Sequence, residues 1–166
     1  QTLPKIYEAH FRSDGTMVLL RSLTNDSDVI ENVSLTLTPP RTTSSGEFYN
    51  VSATNLRGKM DSVTSGAGNV LYYVLKDTGA VVSSTFTGGG IRTLFTSSFN
   101  NWRIARLGAG LMIYTKASAT IPGYAYTASG SLNKILGPLN GLTAIGSPDG
   151  RKILYSYFEN NATRLF

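Results

Sequence analysis

Glu8 and Asp61 are the two carboxylates whose spacing could support hydrolytic chemistry. Each stands seven residues before a turn glycine, Gly15 for the first and Gly68 for the second. Glycoside hydrolases use two carboxyl groups about 5–10 Å apart, one as an acid and the other as a base or nucleophile. The shared offset makes Glu8 and Asp61 the acid pair that the sequence offers for such a reaction.

Two further polar residues share this offset. Arg103 precedes Gly110, and Thr143 precedes Gly150, by the same seven residues. If the four segments surround a common axis, the four side chains form a polar ring near the mouth of a central channel. Charges that lose water need partners, so these side chains can satisfy one another. The alternative is that they bind a ligand.

Asn101, Trp102 and Asn140 are a second group of candidate binding residues. They lie in the segments 99–102 and 138–141, which we expect at the same channel mouth as linkers between repeats. Amide and aromatic side chains there suit a polar ligand or a protein partner, because exposed aromatic groups are enriched in interfaces. Trp102 can instead fill the core between two repeats.

Other catalytic chemistries lack their residues. The chain has no cysteine, which excludes disulfides, thiol catalysis and cysteine-based zinc sites. The single histidine, His10, cannot form a histidine cluster, and Ser65 and Ser129 fall on predicted turns. The three glycines at 88–90 lack the Lys-Ser/Thr ending of a phosphate-binding loop. We therefore predict no catalytic residues, no metal and no cofactor.

Charge and hydrophobicity narrow the classes of partner. The net charge is +5, but the 15 basic residues are scattered along the chain, so nucleic acid is not expected. No uninterrupted apolar stretch approaches the ~20 residues of a membrane span, so the chain is predicted not to span a membrane. A protein or a glycan is the expected partner.

A recurring hairpin carries the candidate residues. Its clearest copy has Ser-Pro-Asp-Gly at 147–150, a tight-turn sequence between two apolar runs. The turn glycines Gly15, Gly68, Gly110 and Gly150 mark four copies, 53, 42 and 40 residues apart. Repeats of about 40–50 residues with four strands each are typical of propeller blades. We therefore predict an all-β chain, a β-propeller with four blade-like repeats of antiparallel strands.

Each repeat is predicted to contribute up to four strands. First strands are predicted at 7–11, 60–64, 102–107 and 142–145. Second strands are predicted at 17–20, 70–73, 111–114 and 153–157, and third strands at 29–37, 80–86, 123–128 and 162–166. Fourth strands are predicted at 47–52, 91–95 and 133–136. The repeats then span 5–56, 57–99, 100–139 and 140–166, and the last is incomplete.

These hairpins resemble those of TolB-like (WD40-like) β-propeller proteins of bacteria. The similarity is closest in LTAIGSPDGRKILYSY at 142–157, partial in RSDG at 12–15, and limited to the final glycine in the other two copies. The resemblance implies a propeller and an extracytoplasmic bacterial setting, whether periplasmic, secreted or at the cell surface. It implies no single activity, since propellers host binding and catalysis alike.

We expect a non-enzymatic scaffold or binding module that presents loops to a protein or a glycan. Two alternatives stay open: a propeller-type hydrolase fragment, such as a glycosidase or peptidase accessory domain, and a structural unit of an assembly. Because the last repeat stops after its third strand, the four repeats are expected to be part of a larger ring. Further blades of the same polypeptide, or a homodimer with eight blades, would close it.

Overall fold

Runs of β-branched and aromatic residues separated by glycine-containing turns account for the regular structure of the chain. The computed structural model describes residues 5–24, 29–38, 50–129 and 131–166. These residues form fifteen strands, and none of them is helical. The predicted all-β class is confirmed.

The strands form four antiparallel sheets in which each strand pairs with its sequence neighbours. Sheet 1 contains β1 (Ile6–Phe11), β2 (Met17–Leu23), β3 (Ile30–Thr38) and β4 (Asn50–Asn55). Sheet 2 contains β5 (Met60–Ser65), β6 (Leu71–Leu75), β7 (Val81–Ser84) and β8 (Arg92–Phe95). Sheet 3 contains β9 (Trp102–Leu107), β10 (Gly110–Thr115), β11 (Pro122–Ser129) and β12 (Ser131–Asn140). Sheet 4 contains β13 (Thr143–Gly146), β14 (Ile153–Glu159) and β15 (Ala162–Leu165).

The strands follow the predicted hairpins with local differences. The prediction of Gly110 as a turn residue is wrong, because Gly110 begins β10. The preceding Gly108 adopts the positive φ of the turn, +59°. Both glycines of Gly-Ala-Gly can adopt this conformation without a steric cost, so composition alone did not separate them. β12 is longer than the predicted 133–136. β4 includes 50–52 of the strand predicted at 47–52, whose residues 47–49 lie outside the described residues.

Three apolar clusters hold neighbouring sheets together. Between sheets 1 and 2 the buried residues are Met17, Leu19, Leu56, Met60, Val63, Leu71, Tyr73, Ala80, Val82 and Phe86. Between sheets 2 and 3 they are Val74, Val81, Trp102, Ile104, Leu111 and Ile113, and between sheets 3 and 4 they are Met112, Ala125, Leu142 and Ala144. No such cluster within the described ranges joins sheet 4 to sheet 1. The arrangement is consistent with a propeller-like architecture, but these contacts do not close a ring.

One cross-strand pair recurs between the first two strands of every sheet. The pairs are His10–Leu19, Thr64–Tyr72, Ala105–Met112 and Ile145–Leu154. In the first three sheets, the second member packs in or against the cluster shared with the next sheet. We call the face with this pair the forward face of each sheet and the opposite one the rear face, since successive residues of a strand alternate between faces.

Asp149 organises the hairpin turn of sheet 4. Its Oδ1 accepts hydrogen bonds from the Ser147 hydroxyl at 2.5 Å and from the Arg151 backbone N–H at 3.0 Å. These two bonds, the hydroxyl first, hold the pKa of Asp149 below its ordinary value. In sheet 1, hydrogen bonds from the Arg12 guanidinium and then from the Thr16 backbone lower the pKa of Asp14 in the same way. Both turns are therefore stabilised by an ionised aspartate.

Acidification is expected to destabilise the fold through these two turns. Because the pKa of each aspartate is lower in the folded chain, its stabilisation is complete above the unfolded value of about 3.9 and is lost as the pH falls below it. The unfolding temperature, followed by circular dichroism, should decrease below about pH 4. Asp149→Asn should weaken this dependence, whereas the control Arg151→Ala, which keeps both hydrogen bonds to Asp149, should not. An unchanged dependence in Asp149→Asn would contradict this role.

Candidate functional site

The polar quartet predicted from the glycine offset lies on the first strands of the four sheets. The cross-strand pairs Glu8–Arg21, Arg103–Tyr114 and Thr143–Ser156 occupy the same place in sheets 1, 3 and 4. In sheet 2, Asp61 lies where the register shifts between Met60 and Val63. Strand pairing therefore places Glu8, Arg103 and Thr143 at equivalent positions. The irregularity in β5 displaces Asp61 from that position.

Arg21 is the residue that joins sheet 1 to sheet 2, and the sequence analysis did not identify it. It is 3% exposed, and its Nη1 lies 2.5 Å from Oε2 of Glu8. Its Nη2 donates to the Met60 carbonyl at 2.6 Å, and its Nε donates to Oδ1 of Asn32 at 3.2 Å. The sequence did contain a signal for this contact. Arg21 follows four apolar residues in β2, and a charge buried among apolar residues requires partners.

Asp61 and Arg103 form the equivalent link between sheets 2 and 3. Arg103 Nη1 lies 2.8 Å from Asp61 Oδ2, and both side chains are partly exposed. Thr143 is exposed on the forward face of sheet 4. The structure therefore joins Glu8 to Arg21 and Asp61 to Arg103, so that each carboxylate of the predicted acid pair is engaged by a guanidinium rather than by the other acid.

His10 lies beside Glu8 but has no nucleophile. Its Nε2 is 2.9 Å from Glu8 Oε1, within ion-pair range, yet this nitrogen is buried without a hydrogen bond of acceptable geometry. No described serine or threonine hydroxyl makes a hydrogen bond with His10. A nucleophile needs its base within hydrogen-bond reach, so this part of the chain does not assemble a serine–histidine pair.

Trp102 belongs to the core between sheets 2 and 3. It is 6% exposed and makes edge-on contacts with Phe95, Phe99 and Tyr126, with ring centroids 5.2, 5.1 and 6.1 Å away. Its Nε1 donates to the Phe99 carbonyl at 2.7 Å. The Trp102 side chain therefore packs in the core, which is the alternative to ligand binding that the sequence also allowed.

Asn101 and Asn140 are exposed at one edge of the stack, where the linkers meet the loops between second and third strands. Lys116 N–H donates to the Asn101 carbonyl at 2.8 Å, and Gly141 N–H donates to the Ser118 carbonyl at 2.9 Å. We call this the linker edge. It brings the two asparagines to the same end of sheet 3.

A groove of about 370 Å³ lies between sheets 2 and 3, toward the hairpin turns and away from the linker edge. Polar side chains line one wall: Asn69, Tyr72, Ser83, Thr85 and Arg92. Apolar side chains form the floor and the opposite wall: Val70, Leu94, Leu111 and Ala128. Two smaller clefts, of about 260 and 150 Å³, share Leu111, Ala128 or Leu94 with this groove and extend it.

Tyr72, Ser83 and Arg92 form a row across the forward face of sheet 2. Tyr72 pairs with Ser83, and Ser83 pairs with Arg92, in the registers of β6, β7 and β8. None of the three side chains makes a hydrogen bond or ion pair with another described residue. Their phenol, hydroxyl and guanidinium groups are therefore free to meet a ligand, in contrast with the engaged charges of the first strands.

Gly66 sets the position of the Tyr72 ring. A Cβ at residue 66 would lie 2.5 Å from Cε2 of Tyr72. At the other end of the row, the Gly89 backbone N–H donates to the Thr85 hydroxyl at 3.0 Å, which fixes the loop before β8. The groove was not predicted from the sequence, because the three polar residues of the row lie on separate predicted strands and share a direction only once the register is known.

The described residues show neither a cluster of metal ligands nor a membrane-spanning helix. Within them, no group of three histidine, cysteine, aspartate or glutamate side chains could hold a metal ion. No helix in those ranges is long and apolar enough to cross a membrane. Neither the known protein-family models nor the curated proteins include a match to this chain.

Proposed function

We propose that the chain is a non-enzymatic β-propeller binding module whose groove between sheets 2 and 3 accepts a glycan. The observation that carries the proposal is the row Tyr72–Ser83–Arg92, three polar side chains in an open groove without a hydrogen-bond or ion-pair partner among the described residues. Binding sites combine apolar surface with a few polar groups that fix the orientation of the ligand. This groove has both components.

The chemistry of the groove favours a ligand rich in hydroxyl groups. Arg92 supplies donors only, whereas the Tyr72 and Ser83 hydroxyls can donate or accept, as can the hydroxyls of a sugar. Leu111 and Ala128 face this row from sheet 3 and offer an apolar wall for the C–H surface of a sugar ring. A single guanidinium among neutral polar groups does not require a strongly anionic ligand.

The engaged carboxylates support binding without catalysis. Glu8 is held by Arg21, and Asp61 by Arg103, so each member of the acid pair already has a cationic partner. These residues connect sheets, and the groove lies at the other end of the strands. We assign them a structural role.

The proposal also includes the larger setting. The Ser-Pro-Asp-Gly turn of sheet 4 and the four-sheet meander support membership of the TolB-like propellers, with the stack as part of a ring. A glycan ligand suits an extracytoplasmic location on or near the bacterial surface. In this view the chain presents its groove as one element of a surface-recognition protein.

A glycan array probed with the labelled 166-residue chain tests the proposal. We expect retention on a subset of glycans, and a loss of at least about tenfold in affinity for Arg92→Ala, because a hydrogen bond to a charged group contributes about 1.5–3 kcal/mol. Arg151→Ala is the matched control, since it removes the same charge from an exposed position in the sheet 4 turn.

Three outcomes would contradict the proposal. The first is the absence of any retained glycan, and the second is equal retention of wild type and Arg92→Ala. The third is release of shortened glycan by the wild-type chain, which would show hydrolysis and return attention to Glu8 and Asp61.

A further inference from the structure

The forward face of sheet 4 is an exposed apolar surface. Ile145, Leu154, Phe158 and Leu165 are 59, 52, 49 and 69% exposed. Ile145 pairs with Leu154, and Leu165 pairs with Ser156, which lies between Leu154 and Phe158 on the same face. A contiguous patch of large apolar side chains is typical of an interaction surface.

The equivalent position is covered in every other sheet. Leu19 and Met112, the counterparts of Leu154 in sheets 1 and 3, are 0% exposed. Tyr72, the counterpart in sheet 2, packs against the cluster shared with sheet 3. Leu154 differs because none of the described sheets packs in front of it.

The rear face of sheet 1 is the other half of the same kind of contact. In sheets 2, 3 and 4, the rear-face pairs Val63–Tyr73, Ile104–Ile113 and Ala144–Tyr155 pack toward the preceding sheet. Their counterpart in sheet 1 is Ala9–Leu20. On that face, Ile6 and Phe11 are 40 and 58% exposed, whereas Val18, which pairs with Phe11, is buried.

We infer that the forward face of sheet 4 docks on the rear face of sheet 1 of a second copy of this chain. The contact continues the sheet packing that already exists at three junctions within one chain. One chain carries both halves, on the first and the last of its described sheets, so a second copy supplies a partner to each. The contact joins two different faces, and two copies that make it reciprocally form a closed assembly of eight sheets.

This inference does not depend on glycan binding, because the groove lies between sheets 2 and 3 of a single chain. Sedimentation velocity of the 166-residue chain over a range of concentrations tests it. We expect association, weakened at least about tenfold by either Leu154→Asp or Phe11→Asp, because each places a charge in an apolar contact. Ile91→Asp is the matched control, since Ile91 is 64% exposed but belongs to neither face.

A mixture of the two variants distinguishes a head-to-tail contact from a symmetric one. The Leu154→Asp chain keeps an intact sheet 1 face, and the Phe11→Asp chain keeps an intact sheet 4 face, so the mixture should form a 1:1 complex. If Phe11→Asp alone still dimerises as wild type does, sheet 4 faces pair with each other and the inference is wrong. A wild-type chain that stays monomeric at all concentrations also overturns it.

Thiol cross-linking gives a second measurement with neutral substitutions. The chain has no cysteine, so Leu154→Cys and Phe11→Cys each introduce a single thiol. A short bifunctional thiol reagent should link a mixture of the two variants mainly as the mixed pair. Equal yields of the mixed pair and of the two self-pairs, after correction for random encounter, would contradict docking between these faces.

Discussion

Gly79→Ala is expected to lower the free energy of unfolding by about 2–4 kcal/mol, because the substitution meets two obstacles at once. Gly79 has a φ of +68°, a conformation that side chains with a Cβ rarely adopt. A Cβ there would also lie 2.4 Å from the Cα of Asn100, so the β6–β7 turn would have to move away from the linker before sheet 3. Equilibrium unfolding in urea measures the difference.

Gly68→Ala separates these two obstacles. Gly68 has a similar φ, +61°, but no atom lies within 4 Å of its added Cβ. We expect a cost of about 1–2 kcal/mol from the backbone conformation alone. Equal destabilisation by the two substitutions would show that the β6–β7 turn does not pack closely on the segment before β9.

Arg21→Met is expected to destabilise the chain by about 2–3 kcal/mol. The substitution preserves much of the side-chain volume but leaves the Met60 carbonyl and the Glu8 carboxylate without their guanidinium. Loss of the donor to a buried carbonyl costs about 1–3 kcal/mol, and the partly exposed Glu8 carboxylate also loses its compensating charge. Adding Glu8→Gln should therefore recover part of the loss, as a double-mutant cycle would show.

Arg103→Met is the matched control for this prediction. Arg103 also pairs with a carboxylate, that of Asp61, but both groups are partly exposed. Ion pairs with solvent access contribute about 0–1 kcal/mol, so Arg103→Met should have a small effect. If the two arginine substitutions have the same effect, Arg21 is not the central polar link between sheets 1 and 2.

Local turn chemistry explains why the hairpins were predictable. Glycine at positive φ and aspartate that accepts backbone N–H groups act within a few residues, so Asp149 and Gly150 indicate their turn without tertiary contacts. The error at Gly110 has the same local origin, because two glycines flank one alanine. The strand position predicted for Arg103 from Gly110 is still correct. The hairpin loop of sheet 3 is shorter than predicted, but Gly110 lies further along the chain, in β10, and the two differences cancel.

Contacts between sheets explain what the sequence did not indicate. Thr143 shares the strand position of Arg103, but no described sheet packs on its face, and it is exposed. Arg21 donates a hydrogen bond across the junction between sheets 1 and 2. Ser83 and Arg92 lie on the same face because the strand register pairs them. Each of these depends on tertiary placement, which residue type and spacing do not specify.

Titration of the isotopically labelled chain with an array-retained glycan, followed by nuclear magnetic resonance, is the most direct test of glycan binding in the groove. We expect the amide chemical shifts of Tyr72, Ser83 and Arg92 to change, together with those of Leu111 and Ala128 on the facing wall. We also expect the glycan to be intact at the end of the titration. Shifts concentrated at Glu8, Asp61 and Arg103, or no shifts at all, would contradict it.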